Sequence, residues 1–333
     1  MAIDPRQVLA TDGAAEVLAR LESVGYIVQR ELISSFLNAL RLCKPFYVQG
    51  PAGVGKTALA ECLAAAFDLP MFVLQGVEDL TLADTLYRWD TEEQDRWVSQ
   101  MVTASLQQNP NLDLIELLAS LRARKFAKEF LMLGEITKAF DYAATTKQRC
   151  LLLVDEVDKL ERKIQNMMLA LFARGTMRIP RYDGIIGIAE KEYWPIIVVT
   201  SNAESPVSHP FRSRHSFAVL PRPKLQDELQ ILQRKVPTAS RALIAQAALI
   251  VSAFRLKSGF VEYPGIREAE DFIRLLWQQE VEVITPDVLA NCVGLLVKNE
   301  PDYGRFLKRE TLEYLIAESE VTHAEVEAFL AQT

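Results

Sequence analysis

The stretch Val48 to Cys62, "VQGPAGVGKTALAEC", limits what this chain can fold into more than any other feature. It sets a polar, glycine-rich turn between the apolar run "PFYV" (Pro45 to Val48) and the helix-like "TALAECLAAAF". A buried strand that turns sharply into a helix is the repeating unit of a parallel sheet, because parallel strands need a crossover to return. The chain carries four more continuous apolar runs, "MFVL", "CLLLV", "PIIVV" and "FAVL", beginning at Met71, Cys150, Pro195 and Phe217. Continuous runs are the signature of strands covered on both faces, and most are separated by segments with helical spacing. The expected architecture is α/β with a mainly parallel sheet. Beyond "PRPK" (Pro221 to Lys224) the strand signals stop. Helical patterns follow at Asp227 to Lys235, Ser240 to Leu256, Ile266 to Glu280 and Pro286 to Lys298. This divides the chain into an α/β core over 1–220, a smaller all-helical lid over 221–300 and a helical extension over 301–333.

The turn fits G-x-x-x-x-G-K-[ST], with Gly50, Gly55, Lys56 and Thr57 at the fixed positions and Pro51, Ala52, Gly53 and Val54 between the glycines. In such a loop, continued by Ala58 into the helix, successive backbone N–H groups point at phosphate oxygens. Lys56 then reaches the β- and γ-phosphates and Thr57 holds Mg²⁺. The expected ligand is ATP with Mg²⁺, in a P-loop NTPase core. A second signal is "LLLVDEVDK", Leu151 to Lys159, which puts two adjacent carboxylates at the carboxyl end of a buried strand, where open α/β sheets bind ligands. Asp155 would hold the magnesium shell, directly or through water, and Glu156 would polarise the attacking water as general base. The plainer alternative is an acidic helix start in which Asp155 or Asp158 caps the next helix. A third signal is Asn202, just past "PIIVVTS", where its amide can orient water or touch the γ-phosphate, or simply serve the turn.

Composition narrows the class. The 333 residues are half hydrophobic, enough for a sizeable core in two or three domains. A net charge of −7 and a pI near 5.3 argue against coating nucleic acid with a basic face. The cysteines Cys43, Cys62, Cys150 and Cys292 include no CxxC pair, which fits buried thiols and neither a disulfide framework nor a zinc knuckle. His209, His215 and His323 form no metal spacing with carboxylates, and no Ser/His/Asp arrangement or nucleophilic cysteine can be read. The start "MAIDPRQVLATDGAAEV" lacks an apolar leader, and no apolar run approaches the ~20 residues of a membrane span. The expected location is the cytoplasm.

The phosphate loop, "LLLVDEVD", "IIVVTSN" and the basic "HPFRSRHSF", in this order, resemble the AAA+ ATPases. The leading segment "VGYIVQRELISSFLNALRLCKPFYVQGPAGVGKT" and the phrase "TLYRWD" resemble more narrowly the MoxR branch, especially the CoxD-like accessory ATPases of the carbon monoxide dehydrogenase type. The resemblance runs over residues 22–90 and 126–280. It departs at Arg88, where that branch tends to an acidic residue, and over 91–126, which has no counterpart in the pattern.

The resemblance implies an ATP-hydrolysing ring of six copies. Asn202 falls on the family's polar residue at the end of the fourth core strand. The arginine finger given to a neighbouring subunit falls on Arg214 or Arg212. A sensor arginine falls on Arg267 in "PGIREAEDF", which can instead pair with Asp271 four residues on. Tyr26 and Ile27 fall where the family packs the adenine base, or serve the core. The segment "MRIPRYDGIIGIAEKEYWPIIVV" resembles a pre-sensor hairpin, placed at 176–190. The helical-looking segment 91–147 is either a subdomain packed on the core or a partner's docking surface.

The output implied is remodelling or maturation of a protein client. The branch often works with a von Willebrand factor A partner; this chain has no "DxSxS", so that partner would be a separate chain. The alternatives are a nucleic-acid motor or loader of the restriction or helicase-loading type, against which the acidic charge counts, and a nucleotide-gated scaffold without sustained turnover, against which the Asp155–Glu156 pair counts.

Overall fold

The computed structural model describes residues 13–28, 30–109, 112–321 and 323–331. The chain divides into two compact units. One is built chiefly from Arg30–Gln49 and Leu63–Ala218; the other gathers Gly50–Cys62, the segment that starts at Leu18, and the chain from Val219 onward.

The first unit is organised on a five-stranded sheet. Nine strands occur among the described residues: β1 Phe46–Gln49, β2 Met71–Gln75, β3 Tyr87–Trp89, β4 Leu131–Leu133, β5 Leu151–Asp155, β6 Thr176–Arg178, β7 Ile185–Gly187, β8 Ile196–Ser201 and β9 Ser216–Val219. The large sheet has the order β2-β5-β8-β1-β9, and its five members are the five apolar runs. Every residue of β5 and β8 is buried, as expected of central strands covered on both faces. The pairs β2–β5, β5–β8 and β1–β8 are parallel, so the carboxyl ends of these strands share one edge. The register sets Gln75 beside Asp155 and Val154 beside Val199. Tyr47, Phe140, Val154, Phe172, Val199 and Phe211 belong to one buried cluster that joins the sheet to its helices.

The segment 91–147 is less uniformly helical than its sequence pattern. Its helices Thr91–Gln108 and Leu114–Arg124 stand on an antiparallel stem, β3 paired with β4. The stem closes where the Asp90 N–H donates to the Phe130 carbonyl at 2.9 Å. The following helix, Glu135–Thr146, belongs to the core, with Ile136, Ala139 and Phe140 fully buried. The expected hairpin is present: β6 and β7 pair antiparallel around a turn containing Tyr182, Asp183 and Gly184. It shares a small cluster with the stem through Leu131, Ile179 and Ile186. The guanidinium of Arg181 lies 5.0 Å over the Phe126 ring, and Phe126 meets Trp89 edge-on at 5.1 Å.

In the second unit the chain beyond Val219 is helical, with its own apolar cluster around Leu243, Phe254, Phe272, Leu276 and Phe306. The helices Leu225–Lys235, Arg241–Leu256 and Ile266–Gln278 follow their sequence patterns closely. The pattern Pro286 to Lys298 forms two short helices, Pro286–Asn291 and Val293–Leu296, because Cys292 leaves helical geometry at φ −97°, ψ 4°. Among the described residues no helix is long and apolar enough to cross a membrane.

Candidate active site

The phosphate-loop residues belong to the second unit and are shaped by close backbone approaches. A Cβ at Gly50 would stand 2.3 Å from the Leu220 carbonyl oxygen, so no side chain fits there. Gly55 has φ +94°, a conformation that costs an L-residue dearly. Lys56 is buried, and its ammonium donates to the carbonyls of Gly50 at 2.8 Å and Pro51 at 2.7 Å. The helix Lys56–Ala66 starts here, so its first N–H groups and its positive end face the same region. The Tyr26 hydroxyl donates to the Gly55 carbonyl at 3.0 Å, and Ile27 next to it is half-buried.

Within the same unit the helix Ile266–Gln278 begins beside this loop. A Cβ on Gly265 would lie 3.3 Å from both the Ala52 carbonyl oxygen and the Gly53 Cα. Arg267 is therefore two residues from the loop contact. It is exposed and makes no hydrogen bond or ion pair among the described residues, so the pairing with Asp271 is not formed. Two buried anchors hold the approach to this helix. Arg255 makes a double salt bridge to Glu228, at 2.7 and 2.9 Å, and donates its Nε to the Pro264 carbonyl at 2.7 Å. The Asp302 carboxylate, fully buried, accepts from the N–H groups of Val261 and Glu262.

The acidic residues lie at the carboxyl edge of the sheet in the first unit. Asp155 is buried and its carboxylate accepts from the Thr200 hydroxyl, one strand over. Glu156 leaves the strand with φ +52°, a strained value for a residue with a side chain and one found often at functional turns. Its own N–H donates to Thr200 Oγ1 at 2.9 Å. Among the described residues its carboxylate is held by three donors: Asn202 Nδ2 on Oε1 at 3.0 Å, and Lys159 Nζ at 2.8 Å with Gln75 Nε2 at 3.2 Å on Oε2. The hydrogen bond to Glu156 holds the Lys159 ammonium above its ordinary pKa. Neither Asp155 nor Asp158 caps the next helix. That helix, Arg162–Arg174, has Glu161 at its N-cap, while Asp158 accepts from the Glu204 N–H at 3.0 Å.

Sequence reasoning named Asp155, Glu156 and Asn202 and missed Gln75, Gly76, Lys159 and Thr200. Gly76 lets β2 approach, since a Cβ there would be 2.2 Å from the Glu156 carbonyl oxygen. The available signal was Gln75 itself, a polar residue closing an apolar run at the edge where ligands bind.

The basic loop precedes the edge strand β9. Arg212 ends the short helix His209–Ser213 and Arg214 follows it. Both are exposed, and neither side chain donates a hydrogen bond or ion pair within the described residues. His215 anchors the loop from behind, its ring stacked on Phe211 with centroids 4.2 Å apart.

These residues suit the ligand expected from the motif. The glycines keep Cβ atoms away from the loop, and Lys56 with the helix start supplies positive donors. Thr57 in the second unit and Asp155 in the first each carry a hard oxygen donor of the kind Mg²⁺ takes, a hydroxyl and a carboxylate.

The model of the AAA domain, dynein-related subfamily, matches residues 45–215, just over half of the chain. The chain therefore belongs to this AAA family, one of nucleotide-hydrolysing P-loop ATPases. No curated protein matches the chain. Among solved structures, a RuvB mutant of Thermotoga maritima is similar over 92% of this chain and 89% of its own, at 15% identity and a TM-score of 0.45. A likeness at that level carries no argument about function.

Proposed function

We propose that this chain hydrolyses ATP with Mg²⁺, working as a cytoplasmic ring of six copies that remodels or matures a protein client. The observation that carries the reading is the contrast between the two adjacent carboxylates. Asp155 is buried and bonded to Thr200, as suits a residue that holds a metal shell. Glu156 is turned out at the sheet edge by a strained backbone and aimed by Asn202, Gln75 and Lys159. A carboxylate offers roughly four lone-pair positions, so the three donors among the described residues leave one open to take a proton from water.

Each residue then has one task. The loop Gly50–Thr57 and Lys56 bind the phosphates, and Thr57 with Asp155 would hold Mg²⁺, directly or through water. The metal, when bound, screens charge on the phosphate oxygens. Glu156 accepts the proton of the attacking water and Asn202 orients the base. Ile27 would pack against the adenine, and Arg267, beside the loop, would reach a phosphate. Arg214, or Arg212, would serve a neighbour's nucleotide, for which a planar and permanently charged donor is suited. The MoxR-type output and a separate von Willebrand factor A partner rest on the phrases "VGYIVQREL" and "TLYRWD".

The test is Glu156→Gln. It should bind ATP as the wild type does and lose about 10²–10⁴-fold in turnover, the usual worth of a positioned general base. Lys56→Ala should instead weaken binding. Near-normal hydrolysis by the first variant, or unchanged affinity in the second, would refute the assignment.

A further inference from the structure

Tyr26 reaches the phosphate loop by a defined route. The helix Gly13–Ser23 ends with the Tyr26 N–H donating to Leu21 at 2.8 Å and the Gly25 N–H donating to Glu22 at 3.0 Å. With Gly25 at φ +87°, this is the paired-bond helix stop in which a left-handed glycine reverses the chain. The stop delivers the next residue, Tyr26, against the loop, where a Cβ on Gly55 would sit 3.7 Å from its ring and hydroxyl.

The Gly55 carbonyl accepts twice, from Leu59 N–H at 2.9 Å and from the Tyr26 hydroxyl at 3.0 Å, which uses both of its lone pairs. The peptide that carries this oxygen also carries the Lys56 N–H, and in a planar trans peptide the two point in opposite directions. Pinning the oxygen thus aims the N–H. We infer that Tyr26 is a positioning residue for the phosphates, fixing the Gly55–Lys56 peptide so that the Lys56 N–H faces them, and that it does not read the base. The inference rests on the reading of Gly50–Thr57 as the phosphate loop. Burial, helped a little by the nearby Cys62, raises the Tyr26 phenol above its ordinary pKa, so the group stays a donor at working pH.

The experiment compares wild type with Tyr26→Phe, which keeps the ring and removes the hydroxyl. Calorimetric titration with ATP, GTP and inorganic tripolyphosphate is read beside the melting temperature of the unliganded protein. The variant should bind ATP and tripolyphosphate roughly 2- to 10-fold more weakly, by a common factor set by one neutral hydrogen bond, with the ATP-to-GTP ratio unchanged. Gly25→Ala, which strains the delivering turn, should move both affinities the same way. A changed ATP-to-GTP ratio with tripolyphosphate binding intact would overturn the inference in favour of a base contact. Unchanged affinities with a lowered melting temperature would overturn it in favour of a purely structural role. A wild-type chain that bound neither ATP nor tripolyphosphate would overturn the nucleotide reading itself, and this assignment with it.

Discussion

His215 shows how one side chain ties the stability of this fold to pH. Burial, with a smaller push from Lys44 and against the pull of its hydrogen bond to the Phe211 carbonyl, lowers its pKa from 6.5 to about 4. Between those values the unfolded chain takes up a proton that the folded chain refuses. The contribution of neutral His215 is whole above pH 6.5, declines as pH falls to about 4, and changes little below that. The full swing is on the order of 3 kcal/mol. Urea denaturation at pH 7 and pH 4 should show His215→Phe losing less stability than wild type; equal losses would count against this account. A second prediction concerns Gln75, one of the three donors on Glu156. Gln75→Ala should lower kcat on the order of 10-fold with ATP affinity kept, between the worth of one hydrogen bond and that of the base itself. The phosphate loop and the Asp155–Glu156 pair were legible in the sequence because their chemistry depends on neighbours along the chain. Gln75 and Thr200 were not, because they reach the site through the register of three strands, which only the folded sheet sets.

Among elements, the helix Ile266–Gln278 depends on a polar anchor more than its apolar face would imply. The Arg255–Glu228 pair is almost fully buried, 11% and 2% exposed, and fixes the carbonyl of Pro264 just before the helix begins. Removing one member strands the other charge without water. Arg255→Met should therefore cost about 3–5 kcal/mol, seen as a lower urea midpoint. A loss near zero would mean that Glu228 finds another partner. The helices of the second unit were legible from periodicity, since long amphipathic segments carry their own signal. The stem β3–β4 was not. Three-residue strands are too short to show alternation, and the helical segments between them hide the pairing.

For the whole molecule, the arginines of the basic loop raise the question of where their partner lies. They sit before the edge strand β9 with no acceptor among the described residues. If Arg214 serves a neighbouring copy, Arg214→Ala should keep ATP binding and lose hydrolysis. Mixing it with Glu156→Gln should restore part of the rate, because some interfaces then join two intact residues. Specific activity should also rise with protein concentration; full activity in a species that light scattering shows to be a monomer would refute action between copies. The stem carries a different consequence. Because Asp90 and Phe130 are joined by a hydrogen bond, the chain leaves the core and returns to it at one place, and the segment touches its surroundings through Phe126 and Lys128. Such a segment behaves as a cassette, open to exchange without redirecting the chain on either side. Replacing 92–128 with an Asn-Gly turn should leave a protein that still folds and binds ATP, checked by its melting temperature and by calorimetric titration.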